Sequence, residues 1–296
     1  MAVNNSLANS QKRLGISAYM SQEGVKAQIN KVVGKNSERF VASIISAVNQ
    51  TPALQECTNK SILAGALVGE ALKLSPSPVL GNYYLVPYDQ KEKKDKDGTI
   101  IKYACKVAQF QLGYKGYIQL ALRSGQYKKL NVMAIKEGEL IRFDPLNEDI
   151  EVNLITDEVE RENAETIGYY AMFEYINGFR KAMYWSKEKM EAHAMKYSKG
   201  YQAKKGYTFW EKDFDAMAYK TMLRQLISKW GIMSIDMITA LDADMAVINE
   251  DGSKDYIETE EIIDTTAEEV QTEQPQEEAP AEQPANDDVA SALFGE

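Results

Sequence analysis

Residues 98–136 concentrate the side chains of this sequence that are suited to hold a polyanion. The stretch contains no Asp or Glu, although the whole chain has 44 acidic residues against 34 basic ones. Aromatic residues and two glutamines, Gln109 and Gln111, are interleaved with its basic residues. Cationic groups neutralise phosphates and aromatic rings stack on bases, so the composition suits a nucleic-acid strand. An ordinary solvated strand and helix would explain the same lysines. The basic residues are Lys102, Lys106, Lys115, Arg123, Lys128, Lys129 and Lys136.

A second basic pair lies on a predicted long helix that starts after Asp213 and ends at Gly231. Lys220 and Arg224 are four residues apart, so they lie on one face of that helix, one turn from each other. A pair at this spacing can contact adjacent phosphates. The simpler alternative is a solvated basic stripe. The loop before this helix, KGYQAKKGYTFW, is also basic and aromatic.

The net charge of −10 is distributed unevenly along the chain. Residues 251–296 hold fifteen Asp and Glu against one basic residue, Lys254, which is about −14. Residues 1–250 hold 33 basic and 29 acidic residues, about +4. This asymmetry is typical of a polyanion-binding body with an acidic arm, which we hypothesise competes for the basic surface or recruits partners. Because the arm has very few aromatic residues, we predict that it is disordered.

The sequence offers little for metal binding or catalysis. His193 is its only histidine and has no second His or Cys nearby, so the usual His/Cys metal site is not expected. No G-x-x-x-x-G-K-[ST] loop is present, which disfavours an ATP-driven motor. Two carboxylate pairs, Asp213/Asp215 and Asp242/Asp244, leave a metal-dependent nuclease as an alternative function. The first pair also suits the start of a helix, where acidic side chains are favoured.

Cysteine content and hydropathy indicate a cytoplasmic protein. Cys57 and Cys105 are too few for a disulfide framework in a chain of 296 residues, as in a reducing cytosol. The N-terminal stretch lacks the apolar core of a signal peptide. No apolar run approaches the roughly 20 residues that span a bilayer, so we expect no membrane contact.

Periodicity and turn signals predict an α+β fold, with a mostly antiparallel sheet of long hairpins packed by helices. Residues 1–75 are expected to form an N-terminal helical lobe, 76–249 an α+β core, and 250–296 the acidic tail. Asn177-Gly178 between alternating runs is the strongest turn signal. The predicted helices are 22–34, 37–50, 59–74, 117–123, 186–198 and 213–231. The predicted strands are 82–88, 100–112, 129–136, 139–143, 150–155 and the hairpin 166–185.

Two blocks of the sequence together resemble the RecT family of phage single-strand annealing recombinases. The first combines Leu72–Tyr88 with Gln109–Tyr127, and the second is Phe209–Leu226. The resemblance covers roughly residues 40–235. It implies a non-enzymatic protein that binds single-stranded DNA and anneals complementary strands without ATP. No cofactor is expected, although annealing can depend on Mg²⁺. A passive single-strand binder without annealing activity is the alternative.

The resemblance also implies partners and DNA contacts. The expected partners are other copies of the chain in a ring or filament, the annealed duplex, a phage exonuclease and the host single-strand-binding protein. The basic stretch adds Lys102, Lys128 and Lys129 to the expected DNA-binding set. The DNA contacts implied by the resemblance are Lys106, Gln109, Gln111, Lys115 and Arg123 in the first block, and Lys220, Thr221 and Arg224 in the second. Tyr114, Phe209 and Trp210 are implied as contacts to bases or to a neighbouring subunit.

Overall fold

The structure is a computed structural model that describes residues 14–206, 208–249 and 251–256. These residues form a helical lobe, two larger antiparallel sheets, two separate two-stranded sheets, and the helices that pack on them. The α+β class expected from the sequence is confirmed. The helical lobe comes first among the described residues. Its helices bury apolar faces against one another, as Phe40, Ile44 and Val48 do at helical spacing on the third of them. These helices are α1 (Ile16–Met20), α2 (Glu23–Val33), α3 (Ser37–Gln50) and α4 (Asn59–Ala71).

The first sheet is built around one long, irregular hairpin. The first and last strands of this hairpin pair antiparallel, with Tyr83 opposite Leu112. Helix α4 packs on the last strand. The expected continuous strand 100–112 is interrupted, because residues 103 and 104 belong to no strand. The strands of the hairpin are β1 (Tyr83–Gln90), β2 (Lys93–Lys94), β3 (Ile100–Lys102) and β4 (Cys105–Leu112). Two late strands complete the sheet, in the order β1-β4-β10-β11, and they are β10 (Ala246–Ile248) and β11 (Lys254–Tyr256).

The second sheet carries the hairpin that the sequence signals most clearly. Its strands are ordered β5-β8-β9, and Gly178 of the predicted Asn177-Gly178 turn has φ +88°, which confirms that turn. A separate two-stranded hairpin covers one face of the sheet, where Leu140, Ile150 and Val152 pack against it. The strands are β5 (Tyr127–Lys136), β6 (Leu140–Asp144), β7 (Asp149–Val152), β8 (Thr166–Tyr175) and β9 (Arg180–Ser186).

A long helix in the second half of the chain ties the two sheets together. It begins where Asp213 accepts a hydrogen bond from the backbone N–H of Ala216, as predicted, and it packs on β5, β8 and β9 and on the helix after β4. No helix among the described residues is long and apolar enough to cross a membrane. The remaining helices are α5 (Tyr114–Arg123), α6 (Glu158–Asn163), α7 (Lys187–Tyr197), α8 (Lys199–Gln202), α9 (Phe209–Lys212), α10 (Phe214–Trp230) and α11 (Ile235–Ala243).

The start of α5 differs from the sequence expectation. The glycines of GYKG predicted a turn with a helix from Tyr117, but α5 begins at Tyr114 with Gly113 as its N-cap, so that prediction was wrong. Gly116 is buried inside the helix, where a Cβ atom would overlap the carbonyl oxygen of Asn82. The glycine spacing therefore serves a close approach of α5 to the backbone that enters β1.

The folded part extends past residue 249, where the sequence analysis placed the end of the core. Strand β11 pairs with β10, and its Asp255 carboxylate accepts hydrogen bonds from Lys102 and Asn249. The rest of the predicted acidic tail, 257–296, lies outside the described residues.

Replacing Gly116 with alanine should lower the free energy of unfolding by about 1–3 kcal/mol, because the added methyl forces α5 away from Asn82. Urea denaturation followed by circular dichroism measures the change. Gly24→Ala is the matched control, since Gly24 lies in α2 with nothing within 4 Å of its would-be Cβ. Equal unfolding midpoints for the two variants would contradict the close approach.

Candidate nucleic-acid interface

Three rings and one lysine meet at the start of α5, and we call Tyr84, Tyr114, Lys115 and Phe209 the aromatic–lysine surface. The rings of Tyr84 and Phe209 have centroids 5.6 Å apart. The Nζ atom of Lys115 lies 5.9 Å from the centroid of the Tyr114 ring. Lys115 and Phe209 are exposed, and the two tyrosines are half-buried. Solvent-accessible aromatic surface beside a solvated cation suits stacked bases and a phosphate.

The loop that enters β1 closes one side of the aromatic–lysine surface. Gly81 adopts φ +64° there, and a Cβ atom on it would lie 3.0 Å from Tyr84 Oη and 3.4 Å from Lys115 Cδ. A residue with a side chain would be strained at this φ and would press on both groups. Val79 and Leu80 at the tip of the loop are 80% and 51% exposed, so apolar surface extends beyond the rings.

Further tyrosines support the rings from below. Tyr219 of α10 packs edge-on against Tyr114, with ring centroids 5.6 Å apart, and in turn contacts Tyr169. The hydroxyl of Tyr169 donates a 2.6 Å hydrogen bond to Asp215. Burial raises the pKa of Tyr84 and of Tyr219 above that of a free tyrosine. Both phenols therefore stay neutral at physiological pH and add no negative charge next to Lys115.

Helix α9 presents Phe209 outward by anchoring the residues around it. A capping box fixes its start, since Thr208 Oγ1 accepts from the N–H of Glu211 and the Glu211 carboxylate accepts from the N–H of Thr208. Trp210 is buried against Phe214, with ring centroids 5.1 Å apart. Phe209, which precedes Trp210, consequently points away from the core. Trp210, expected as a possible base contact, serves as the anchor.

The second basic block lies inside the protein, around the buried carboxylate of Asp244. Lys220 Nζ is 3.1 Å from Asp244 Oδ1, and Arg224 Nη1 contacts Oδ2. The same carboxylate accepts from Tyr117 Oη at 3.0 Å and from the N–H of Leu112 at 2.8 Å. We call these five residues the Asp244 cluster. It joins the end of β4, α5, α10 and the end of α11.

Lys220 and Arg224 are buried, so the expectation of a solvent-facing basic pair was wrong. The spacing does place both on one face of α10, but that face is buried, and the single carboxylate of Asp244 pairs with both cations and offsets one of their two charges. Thr221 is buried beside them. Their assignment as DNA contacts stays a prediction, and in this conformation their side chains have an internal partner.

The two glutamines of β4 are also internal. The side-chain amide of Gln109 donates to the carbonyl oxygen of Met245, and that of Gln111 donates to Gln109 at 2.7 Å. Both buried amides therefore have polar partners within the protein itself. A DNA contact of either glutamine stays a prediction.

The other predicted basic residues form two groups away from Lys115. Lys102 and Lys106 lie towards the opposite end of β4, where Lys106 Nζ is 2.5 Å from Glu56 and Lys102 pairs with Asp255. Lys128 and Lys129 begin β5 and lie 2.6 and 3.5 Å from Glu174. Arg123 is exposed at the end of α5, close in sequence to that second group. The structure thus brings Tyr114, Lys115 and Phe209 together and separates the rest.

Tyr84 and the lysines of the loop before α9 were missed as individual site residues. Lys204 and Lys205 are exposed in that loop, a few residues before Phe209. The sequence signal was present, because residues 192–210 contain four lysines and no Asp or Glu. For Tyr84 the missing information was its ring partner, Phe209, which lies 125 positions away.

The carboxylates considered for a nuclease have structural partners. Asp213 caps α10, Asp215 accepts from Tyr169, and Asp242 accepts from Lys254. The fourth, Asp244, belongs to the cluster described above. Among the residues described, no group of three or more His, Cys, Asp or Glu is placed to hold a metal ion.

Replacing Asp244 with alanine should lower the free energy of unfolding by about 3–5 kcal/mol, because two buried cations lose their shared partner. Asp242→Ala is the matched control, since Asp242 is exposed and pairs at the surface with Lys254. Thermal and urea unfolding of both variants measure the difference. Similar losses in the two would show that the cluster contributes no more than a surface pair.

Comparison with known proteins agrees with the resemblance in both blocks. The RecT family model matches residues 38–266. The uncharacterized protein YqaK of Bacillus subtilis (strain 168) is 39% identical over 282 residues, which cover 90% of this chain and 88% of YqaK. Protein RecT of Escherichia coli (strain K12) is 26% identical over 235 residues, covering 79% and 81% of the two chains. The chain therefore belongs to the RecT family of single-strand annealing proteins.

Proposed function

We propose that this protein binds single-stranded DNA through the aromatic–lysine surface and anneals complementary strands without ATP during phage recombination. The observation that carries the proposal is the exposed Lys115 beside the rings of Tyr84, Tyr114 and Phe209. Membership of the RecT family supports the same reaction. Lys204 and Lys205, exposed before α9, extend the positive charge along the path from Phe209.

Binding at this surface does not depend on base sequence. Lys115 neutralises a phosphate, and its place in the first turn of α5 puts that phosphate near the positive end of the helix dipole. Ring faces stack on any base, whereas reading a sequence requires hydrogen bonds to base edges. A strand held by its backbone and by stacking keeps its pairing edges available.

Annealing then follows without bond making or nucleotide hydrolysis. Two free strands repel each other and fold on themselves, which slows pairing. A bound strand has fewer unneutralised phosphates and an extended backbone, so a complementary strand approaches with less repulsion. Tighter binding of the duplex product than of the single strands drives the step. We further propose that the protein acts in the bacterial cytoplasm, with a phage exonuclease and the host single-strand-binding protein as partners.

The test of the proposal is a strand-pairing assay. The protein should accelerate duplex formation between two complementary oligonucleotides in buffer without ATP, because bound strands no longer repel one another fully. Fluorescence energy transfer between labelled strands follows the rate, with and without Mg²⁺. Binding without acceleration would favour a passive single-strand binder, and shortened strands would favour a nuclease.

Lys115→Ala should weaken binding of single strands of every sequence and reduce the slope of log K against log salt by about 0.7. Fluorescence anisotropy with an oligo-dT strand at several salt concentrations measures both. Lys35→Ala removes the same charge from the exposed surface of the helical lobe and should change neither quantity. An unaltered slope for Lys115→Ala would remove this residue from the interface.

Phe209→Ala should weaken binding by about 1–3 kcal/mol through the loss of one stacking surface. The salt slope should stay the same, since no charge is removed. Phe209→Tyr keeps the ring and should retain most of the affinity. Equal affinities for the alanine variant and the unchanged protein, measured by the same titrations, would show that bases do not stack on Phe209.

A further inference from the structure

The end of the second sheet where β8 turns into β9 exposes an unusual amount of apolar surface. We call Ile176, Phe179, Trp230 and Ile232 the apolar end; their exposed fractions are 69, 46, 46 and 42%. The hydroxyl of Tyr175 links the turn between β8 and β9 to the segment that follows α10. It donates to the Trp230 carbonyl at 3.3 Å and accepts from the N–H of Ile232. The four residues therefore form one continuous patch.

The patch has the character of a binding surface. Phe179 stacks on Tyr175 at an interplanar angle of 20°, and Lys181 Nζ lies 3.9 Å from the centroid of the Trp230 ring. These contacts hold the rings in place before anything binds, so little conformational entropy is lost on association. Fixed aromatic side chains in apolar patches are the residues that dominate association energies.

The other end of the same sheet is acidic and also carries exposed apolar side chains. Lys136 Nζ donates to the carbonyl of Ala164 at 3.0 Å, which fixes α6 next to the first residue of β8. Val159 on α6 is 69% exposed and Leu154 before it is 42% exposed. We call this region the acidic end, because α6 adds the exposed carboxylates Glu158, Glu160 and Glu162.

The two ends lie at opposite termini of β8, which is ten residues long, so they are roughly 30 Å apart. Arg180 and Lys229 are exposed at the apolar end. The surfaces are therefore complementary in charge, and each presents apolar side chains. A single copy cannot bring them together across that distance, whereas a second copy can.

We propose that the apolar end of one copy packs against the acidic end of the next. Contact between two different surfaces repeats from copy to copy and builds a ring or a helical filament, whereas a two-fold contact stops at a dimer. This inference rests on the self-association expected of the RecT family and assigns it to named surfaces of this chain.

The experiment mixes two half-blocked variants without DNA. Phe179→Asp blocks the apolar end and Val159→Arg blocks the acidic end, so each variant alone should lose the large species that the unchanged protein forms in sedimentation velocity. An equimolar mixture should sediment as a dimer. The intact acidic end of the Phe179→Asp variant can still bind the intact apolar end of the Val159→Arg variant, and no further copy can add. Val32→Asp, a charge placed on an exposed apolar residue of α2, should assemble as the unchanged protein does.

Three results would overturn the proposal: a monomeric unchanged protein, normal assembly of either variant, or a mixture that stays monomeric. Should Phe179→Asp fail to fold, Ile176→Asp blocks the same end at a more exposed position. Binding of an oligo-dT strand by each protein is measured separately. If the unchanged protein does not bind the strand, the proposed function is refuted. The sedimentation experiment still tests the contact between copies in that case.

Discussion

The carboxylate of Asp244 holds two buried cations, and the position of the candidate site depends on that arrangement. Ions are costly to remove from water unless partners and hydrogen bonds compensate, so Lys220 and Arg224 stay internal only while Asp244 is there. The same carboxylate binds the Leu112 N–H and the Tyr117 hydroxyl. It therefore fixes where β4 ends and how α5 leaves it. Tyr114 and Lys115 occupy the first turn of that helix, so a buried ion cluster positions the candidate strand-binding surface.

Some basic residues are therefore buried with an acidic partner and others are exposed to solvent, and composition alone does not distinguish the two groups. Those of α10 contribute to the rigidity of the core, and Lys115 with the loop lysines before α9 remains in solvent. A count of lysines and arginines overestimates the binding surface whenever some have internal acidic partners. Glu56, Glu174 and Asp255 reduce the free charge near the remaining candidates in the same way, although solvent-accessible pairs of this kind contribute little to stability.

Local signals in the sequence predicted most elements, because turns and caps depend on a few adjacent residues. The Asn177-Gly178 hairpin and the Asp213 cap are examples. The burial of Lys220 and Arg224 depends on Asp244, which lies 24 and 20 positions away and was read only as half of a carboxylate pair. Gly113 and Gly116 predicted a turn because glycine is common in turns, but glycine also permits a helix to approach another backbone closely. Only the contact with Asn82, set by the whole fold, distinguishes a tight helix approach from a turn.

If copies associate as proposed, assembly and strand binding are coupled through Tyr219, which interacts with both the aromatic–lysine surface and helix α6 of the acidic end. Tyr219 packs on Tyr114 and lies near enough to Arg161 of α6 to interact with it electrostatically. Uncovered carboxylates of α6 repel a phosphate backbone that approaches this side of the molecule, and salt screens the repulsion over a Debye length of about 8 Å at physiological ionic strength. A neighbouring copy that places Arg180 and Lys229 on α6 removes that repulsion. Each added copy thus favours the binding of the strand, and the strand in turn favours the addition of copies, as reciprocal linkage requires.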